Sequence, residues 1–296
     1  MNSTAFSINL LIDLQQIFHY QFMQHAFEAG TVIAIVAGIV GYFVVLRRSA
    51  FAAHALAHIG FAGAAGSVLF GISPVIGLLV STNISGFTMA ILGTRAAHRD
   101  TQIGIVLAFM LGMGVLFISL YTGYATEAYS ILFGEILGIS SNDVLLTLVA
   151  GLIILAAVAI VYRPLLFASI DEDVSEAKGM PVLPLGVIFM LLVAVATSIA
   201  VQVVGVLLIF SLMVTPAATA QRLAKRPQRV MIIAILIALT ATWLGLFISF
   251  YEPYPVSFFI TSIVFSFYLF VRFVYQKIKP VESFNRQAGK GKTLDK

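Results

Sequence analysis

The chain has 296 residues, of which 60% are hydrophobic and only 10% carry a charge. A soluble domain has about 45–50% apolar and about 25% charged residues, so this composition excludes an ordinary soluble protein and indicates an integral membrane protein. Cysteine is absent, which excludes disulfides and thiolate metal ligands. The formal net charge is +4, and in a membrane protein we interpret it as an orientation signal and not as a nucleic-acid site.

The N-terminal region has no Lys or Arg in its first 46 residues, so it lacks the positive region of a cleavable signal peptide. Residues 8–18 (INLLIDLQQIF) predict a helix on the outer membrane surface, and we assign residues 1–22 to an outer interfacial segment. The first span is predicted over about 23–46. His25 and Glu28 lie near its outer end, where they could mark an entrance or be ordinary interfacial residues.

The distribution of basic residues predicts the topology. If all basic clusters face the cytoplasm, as the positive-inside rule requires, an even number of crossings joins successive clusters. At about 20 residues per span, this predicts an all-α polytopic membrane helix bundle of about nine transmembrane helices, with eight possible. The N-terminus is then outside and the C-terminus cytoplasmic. The clusters are Arg47–Arg48, Arg95 with Arg99, Arg163, Lys178, Arg222–Arg229, and Arg272 to the end of the chain.

The bundle is predicted to be a single transmembrane domain over residues 23–276, followed by a basic cytoplasmic tail over 277–296. Residues 183–221 form either two short spans or one deep re-entrant hairpin that breaks near 201–205. Each arm has only about 17 residues, which is short for a membrane crossing.

Residues 164–182 (PLLFASIDEDVSEAKGMPV) form the only long charged insertion between spans. Ser169 or Asp171 can cap a short helix here, acids follow in its first turn, and Gly179 is a stop signal. Such a helix on the cytoplasmic face is either a docking site for a soluble partner or a solvated connector.

His54 and His58 lie in the apolar stretch FAAHALAHIGFAG, one helical turn apart. On a helix, residues four apart share one face, and ionisable groups inside a membrane normally face a cavity, the bundle interior or a partner. The pair therefore predicts either a metal contact or two buried histidines hydrogen-bonded to backbone carbonyls. An intramembrane metalloprotease would need Glu directly after the first His, and Ala55 stands there.

Six segments spread along nearly the whole chain match one known pattern. They are FMQHAFEAG, VVLRRSAFAAHALAHIGFAG, DTQIGIVLAFMLGMGVLFISL, ILFGEILGIS, LFASIDEDVSEAKGMPV and VQVVGVLLIFSLMVTPAATAQRLAKR. Together they resemble the membrane permease subunits of ABC importers for zinc, manganese and iron, the ABC-3 permease family. The resemblance implies a multi-pass protein of the bacterial inner membrane, surrounded by lipid.

The resemblance also implies the partners and the functional residues. Two permease subunits, with a homodimer favoured, would form the translocation path, and an external metal-binding protein would deliver the metal. ATP would be hydrolysed by separate cytoplasmic ATPase subunits, so this chain would carry no catalytic residue and no permanently bound cofactor. His54 and His58 would contact the transported metal. The residues implied to couple to the ATPase are Asp171, Glu172, Asp173, Glu176, Ala177 and Gly179.

The chain departs from the family pattern at His54, where the family motif usually has Asp. Two imidazoles favour zinc, whereas an Asp/His pair also suits manganese, so we expect zinc as the substrate, with manganese or iron as alternatives. An ATP-independent metal transporter is a further alternative, but it would need coupling acids in mid-membrane, and no clear mid-span Asp or Glu exists.

Overall fold

The computed structural model describes residues 17–93, 99–120, 138–252 and 254–278, and within these ranges every regular element is a helix. The predicted all-α fold is thereby confirmed. Most of the interfacial segment predicted over 1–22 lies outside the described residues, as does nearly all of the tail predicted over 277–296. In chain order, the helices α1 to α10 are Gln21–Leu46, Ala50–Leu69, Pro74–Leu92, Arg99–Leu120, Ser141–Ile170, Glu172–Ala177, Val182–Val204, Val206–Leu223, Pro227–Tyr251 and Val256–Ile278.

Eight helices of the described chain are long and apolar enough to cross a membrane, which makes this an integral multi-pass membrane protein. They are α1 to α5, α7, α9 and α10. Helix α8 has 18 residues and is about 27 Å long, slightly less than the roughly 30 Å hydrocarbon core. The eight candidate spans of the described residues match the lower of the two predicted numbers, and α8 is the ninth long helix without meeting the criteria for a span.

Consecutive long helices run in opposite directions. Along α2 and α3, Gly60 lies against Thr82 and Gly63 against Gly77, so these two helices are antiparallel. Contacts between other helices give the same alternation, and the bundle therefore has two distinct ends. We call one the Arg47 end, which also carries Glu172 and Gly186, and the other the His25 end, which also carries Asp143 and Gln202.

The break predicted near 201–205 is found at Gly205, which separates α7 from α8. Its backbone has φ 82° and ψ 165°, a region that favours glycine. Helix α7 runs from Gly186, beside Arg47, to Gln202 at the His25 end. Helix α8 then returns toward the Arg47 end, where the guanidinium of Arg222 lies over the ring of Tyr268.

The segment predicted as a loop over 164–182 is partly helical, because α5 continues through Pro164 to Ile170. Proline removes one backbone hydrogen bond, but tertiary packing holds the last turns in place, since Leu165 and Ala168 are buried. The short helix α6 follows directly, and α7 begins at Val182. The connection outside the long helices is therefore residues 171–181.

Small residues bring the helix backbones close together. A Cβ on Gly41 of α1 would collide with the backbone carbonyl of Met213 in α8, and one on Gly38 would come within 2.9 Å of the backbone of Ile235 in α9. Membrane helices associate through such small-residue faces, because lipid offers no hydrophobic driving force between them. Helix α1 therefore lies at the centre of the bundle, with α8 and α9 fixed against it.

Candidate functional site

A tight turn at the Arg47 end positions the helix that carries the histidine pair. Helix α1 ends at Leu46, and the amide of Ser49 donates to the carbonyl of Val44 over 2.8 Å. Arg48 has φ 54°, the left-handed conformation that reverses the chain. Helix α2 begins two residues after Arg48, at Ala50, so its start is fixed to the end of α1.

Close packing buries two sides of α2. On one side, Gly63 and Gly77 approach so closely that a Cβ on either would meet the other's carbonyl oxygen, and the hydroxyl of Ser81 donates to the Ile59 carbonyl. On the other side, a Cβ on Gly114 of α4 would lie 2.9 Å from the Cβ of Ala62. The small residues of the segment GFAGAAGS (residues 60–67) thus pack α2 tightly against its neighbours and fix its rotation about the helix axis.

A partly exposed stripe remains along α2, and both histidines lie on it. Its members recur at spacings of three and four residues: Phe51, His54, His58, Phe61, Ala65 and Val68. The centroids of the two imidazole rings are 4.5 Å apart, and the ring planes meet at 75°. The prediction that the pair shares one helix face is confirmed. The pair lies at the surface of the single chain and not in its interior.

The two imidazoles are unlike buried structural histidines. The hydrogen bonds of the described residues include none from His54 or His58 to a backbone carbonyl. Rings this close can reach a single ion at the zinc–nitrogen distance of about 2.0–2.1 Å. The described part of the chain contains no group of three or more His, Cys, Asp or Glu residues able to hold a metal ion. At this place the described residues therefore offer two ligands, and a complete site would need others.

Phe210 of α8 is a site neighbour that the sequence analysis missed. Its ring centroid lies 4.9 Å from that of His54, at 68°. Phe210 is partly exposed, and so are Ser211, Val214 and Thr215 on the same face of α8. The partly exposed stripes of α2 and α8 are thus adjacent, and they form one surface that combines two imidazoles with hydroxyl groups.

His25, predicted as a possible entrance residue, connects α1 to the start of α5. Its Nδ1 lies 3.0 Å from the carbonyl oxygen of Ile139 and its Nε2 lies 3.2 Å from the Ser141 hydroxyl. A carbonyl only accepts, so Nδ1 donates, and Nε2 of the neutral ring accepts from the hydroxyl. Glu28, one turn further along α1, is exposed. A metal ion at Nε2 would have to displace the bond from Ser141.

Two further residues join this polar cluster, and sequence reasoning did not single them out. Asp143 forms a capping box with Ser140 at the start of α5, and its Oδ1 accepts from Nε2 of Gln202 over 2.9 Å. The start of α5 is therefore bonded both to α1 and to the end of α7. Ser140 followed three residues later by an acid is a helix-start signal, but the partner from α7 is 59 residues away in sequence.

The short helix α6 has the capping residues that the sequence predicts. The side chain of Asp171 accepts from the amide of Val174 over 3.0 Å. Gly179 has φ 75°, and its amide donates to the carbonyl of Glu176. The amide of Met180 donates to the carbonyl of Ser175. These two bonds are the Schellman motif, which terminates a helix at a glycine.

The six predicted coupling residues do not all point the same way. Asp171, Asp173, Glu176, Ala177 and Gly179 are exposed, as a docking surface requires. Glu172 instead turns toward the bundle, where its Oε1 lies 2.9 Å from Nη2 of Arg47. The structure therefore separates one internal contact from five exposed positions.

Comparison with known protein families identifies the fold. A model described as the ABC 3 transport family matches residues 19–275. The chain belongs to this family. The chain is 29% identical over 242 residues to "Manganese transport system membrane protein MntC" from Halalkalibacterium halodurans, covering 81% of this chain and 83% of that protein. It is also 29% identical over 231 residues to "High-affinity zinc uptake system membrane protein ZnuB" from Buchnera aphidicola, covering 77% of this chain and 88% of that protein.

Among solved structures, PsaBC from Streptococcus pneumoniae, determined in complex with Fab, superposes with a TM-score of 0.79. The two chains are 30% identical, and the match covers 89% of this chain and 95% of the other. The resemblance inferred from the six segments is thus confirmed at the level of the family and of the fold.

Proposed function

We propose that this chain is the permease subunit of a bacterial ABC importer that takes up a divalent transition metal, with zinc favoured over manganese and iron. The paired imidazoles of His54 and His58 on the partly exposed stripe of α2 carry the proposal. Membership in the ABC 3 transport family supports it, and so do relatives named for manganese and zinc transport. Zinc is favoured because this chain has two imidazole nitrogens where the family motif usually has an Asp oxygen and a His nitrogen, a pair that also suits manganese.

The translocation path would lie between two copies of the chain. Because the histidine pair is at the surface of one chain, a second copy can face it and bring two more imidazoles. Four nitrogens, or two nitrogens and water, can surround zinc tetrahedrally. An ion in transit must also leave, so a site assembled from two weakly held halves suits transport better than a closed structural site.

The two ends of the bundle would have different partners. The Arg47 end would face the cytoplasm, where the exposed residues of α6 dock on an ATPase subunit that supplies the hydrolysis. The His25 end would face outward, where an external binding protein delivers the metal and Glu28 with His25 lies near the entrance. The bacterial inner membrane is the compartment in which this arrangement operates.

The proposal is tested with the permease–ATPase complex in proteoliposomes, by ATP-driven uptake of zinc from metal-loaded binding protein. The double variant His54→Ala with His58→Ala should take up zinc at least about ten-fold more slowly, because both imidazoles that would bind the metal are removed. Phe61→Ala, on the same stripe without a ligand atom, is the matched control and should retain uptake.

The same assay distinguishes the alternatives. Zinc uptake at the parent rate by the double variant contradicts a metal role for the pair. Uptake by the permease without its ATPase would favour the ATP-independent transporter. A stronger competition by manganese than by zinc in the parent complex would identify manganese as the preferred cargo.

A further inference from the structure

Arg47 is a buried arginine at the junction of four segments. It follows the last residue of α1, and its side chain is only 5% exposed. Its Nη2 lies 2.9 Å from the Oε1 of Glu172 in α6, and its Nη1 donates toward the Ser169 hydroxyl at the end of α5 over 3.4 Å. Its guanidinium carbon also lies 5.1 Å from the ring centroid of Phe189 in α7.

A buried charge needs a compensating partner, and Glu172 supplies it. Removing water from a guanidinium is unfavourable unless an opposite charge compensates it, and the Glu172 carboxylate does so although its own side chain is 38% exposed. Arginine suits the place because its planar fork can bond to two oxygens while its face stacks on a ring. The pair is therefore a specific contact between α6 and the end of α1.

Arg47 is connected to the histidine pair through the turn that begins α2. Its own amide donates to the Phe43 carbonyl, and the amide of Ser49 donates to Val44. Helix α2 begins at Ala50, and His54 lies one turn beyond that residue. A short, hydrogen-bonded segment thus connects the residue that contacts α6 to the start of α2.

A cavity lies beside the pair, on the side of α6 that faces α3 and the start of α7. It has a volume of about 430 Å³ and lies between the end of α3, near Gly93, and the segment that enters α7, near Leu183. Both Glu172 and Glu176 line it. The Arg47–Glu172 pair is therefore one of the contacts that hold α6 to the bundle, together with the buried side chain of Ser175 and the stacking of Lys178 over the ring of Phe167.

We propose that the Arg47–Glu172 ion pair is the positioning contact that transmits movement of α6 to the histidine-bearing helix α2. This inference rests on the proposed function, in which α6 docks on the ATPase. Glu172 would then act on Arg47 inside the permease, and the exposed acids of α6 would act on the ATPase. Arg47 touches neither the metal nor ATP.

Reversing the charges tests the pair. In the reconstituted complex, Arg47→Glu and Glu172→Arg should each lower ATP-driven zinc uptake by about ten-fold or more, in the range of ordinary coupling between sites. The double variant restores the opposite charges at the contact and should recover most of the uptake. Arg229→Glu reverses an exposed charge after the start of α9, and as the matched control it should leave uptake unchanged.

Arg47→Gln distinguishes a positioning role from a merely structural one. The readout is the ratio of zinc-stimulated to basal ATP hydrolysis, which should fall by about five-fold or more when coupling is lost. A folding defect lowers both rates together and leaves this ratio at the parent value, which would overturn the proposal. The ratio also decides the question when a charge-reversal variant fails to assemble.

The outcomes separate this inference from the proposed function. If the parent complex takes up no zinc with ATP, the proposed function fails. If the parent transports and both single reversals transport at the parent rate, only the inference fails. The inference would also be overturned if the double variant assembled but were as inactive as the two single variants. Restoring opposite charges at the contact would then not restore coupling between α6 and α2.

Discussion

The hydroxyl oxygen of Thr82 lies 2.5 Å from that of Ser198, across the contact between α3 and α7. Each hydroxyl is also 2.8 Å from a carbonyl oxygen of its own helix, Leu78 for Thr82 and Ala194 for Ser198. A hydroxyl carries one proton, so one of the two donates across the interface while the other bonds within its helix. Both side chains are buried.

We expect Ser198→Ala to destabilise the bundle by about 0.6 kcal/mol and by no more than about 1.7 kcal/mol, the average and the maximum for hydrogen bonds between membrane helices. The midpoint of thermal unfolding of the purified protein in detergent should fall by about 2–4 °C per kcal/mol. Ser266→Ala is the control, because that exposed hydroxyl donates only to the Ser262 carbonyl of its own helix. Equal midpoints for the two variants would show that the interhelical bond adds no stability.

The seam between α2 and α3 should tolerate no added methyl group. A Cβ on Gly63 would collide with the Ser81 hydroxyl and with the carbonyl oxygen of Gly77, and a backbone carbonyl cannot move aside cheaply. Gly63→Ala should therefore destabilise the bundle by about 1–3 kcal/mol. Gly104→Ala in α4 meets nothing within 4 Å and should be neutral or stabilising, by up to about 1 kcal/mol. A higher unfolding midpoint for Gly63→Ala than for Gly104→Ala would contradict this packing.

Local chemistry explains which parts were predictable from the sequence. The spacing of His54 and His58 fixes a shared helix face whatever surrounds it. Capping by Asp171 and the stop at Gly179 depend only on backbone groups a few residues away, and the break at Gly205 likewise follows from glycine's backbone freedom. Charge segregation predicted about nine spans with eight possible, because basic residues are costly to carry across a membrane, and eight candidate spans are found among the described residues.

Contacts between distant segments could not be predicted in the same way. Arg47 and Glu172 are 125 positions apart, and the bond from His25 to Ile139 spans 114. No periodicity within a helix indicates which residue of another helix will face it. Glu172 turns toward the bundle only because the end of α1 places Arg47 beside it. The sequence does not show this, and Glu172 was therefore predicted to be a coupling residue like its exposed neighbours.

Metal preference should respond to the residue at position 54. His54→Asp supplies a hard oxygen ligand beside the imidazole of His58, and we expect ATP-driven uptake to persist with manganese improved relative to zinc. The measurement is uptake of each metal in the presence of the other. Ala65→Asp adds the same charge to the α2 stripe, two turns beyond His58, and should not change the ratio. An unchanged ratio in His54→Asp would show that position 54 does not contact the metal.

Orientation in the membrane can be read directly, because the chain contains no cysteine and each introduced thiol is the only one. Lys178 and Arg226 are exposed at the Arg47 end, and Glu252 is exposed after α9 at the other end. Glu127, also predicted to be external, lies outside the described residues. The positive-inside rule places the basic end in the cytoplasm, so a membrane-impermeant maleimide should label Glu252→Cys in intact cells.

The same reagent should label Lys178→Cys and Arg226→Cys only after the membrane is permeabilised, and the parent chain controls for background. If α8 crosses the membrane together with the eight candidate spans, the start of α1 and the end of α10 lie on opposite sides. The three thiols test this topology together. If Glu252→Cys were labelled only from the cytoplasmic side, the orientation of the bundle in the membrane would be the opposite of the one predicted here. The exposed face of α6 would then be outside the cell, where no ATPase could reach it.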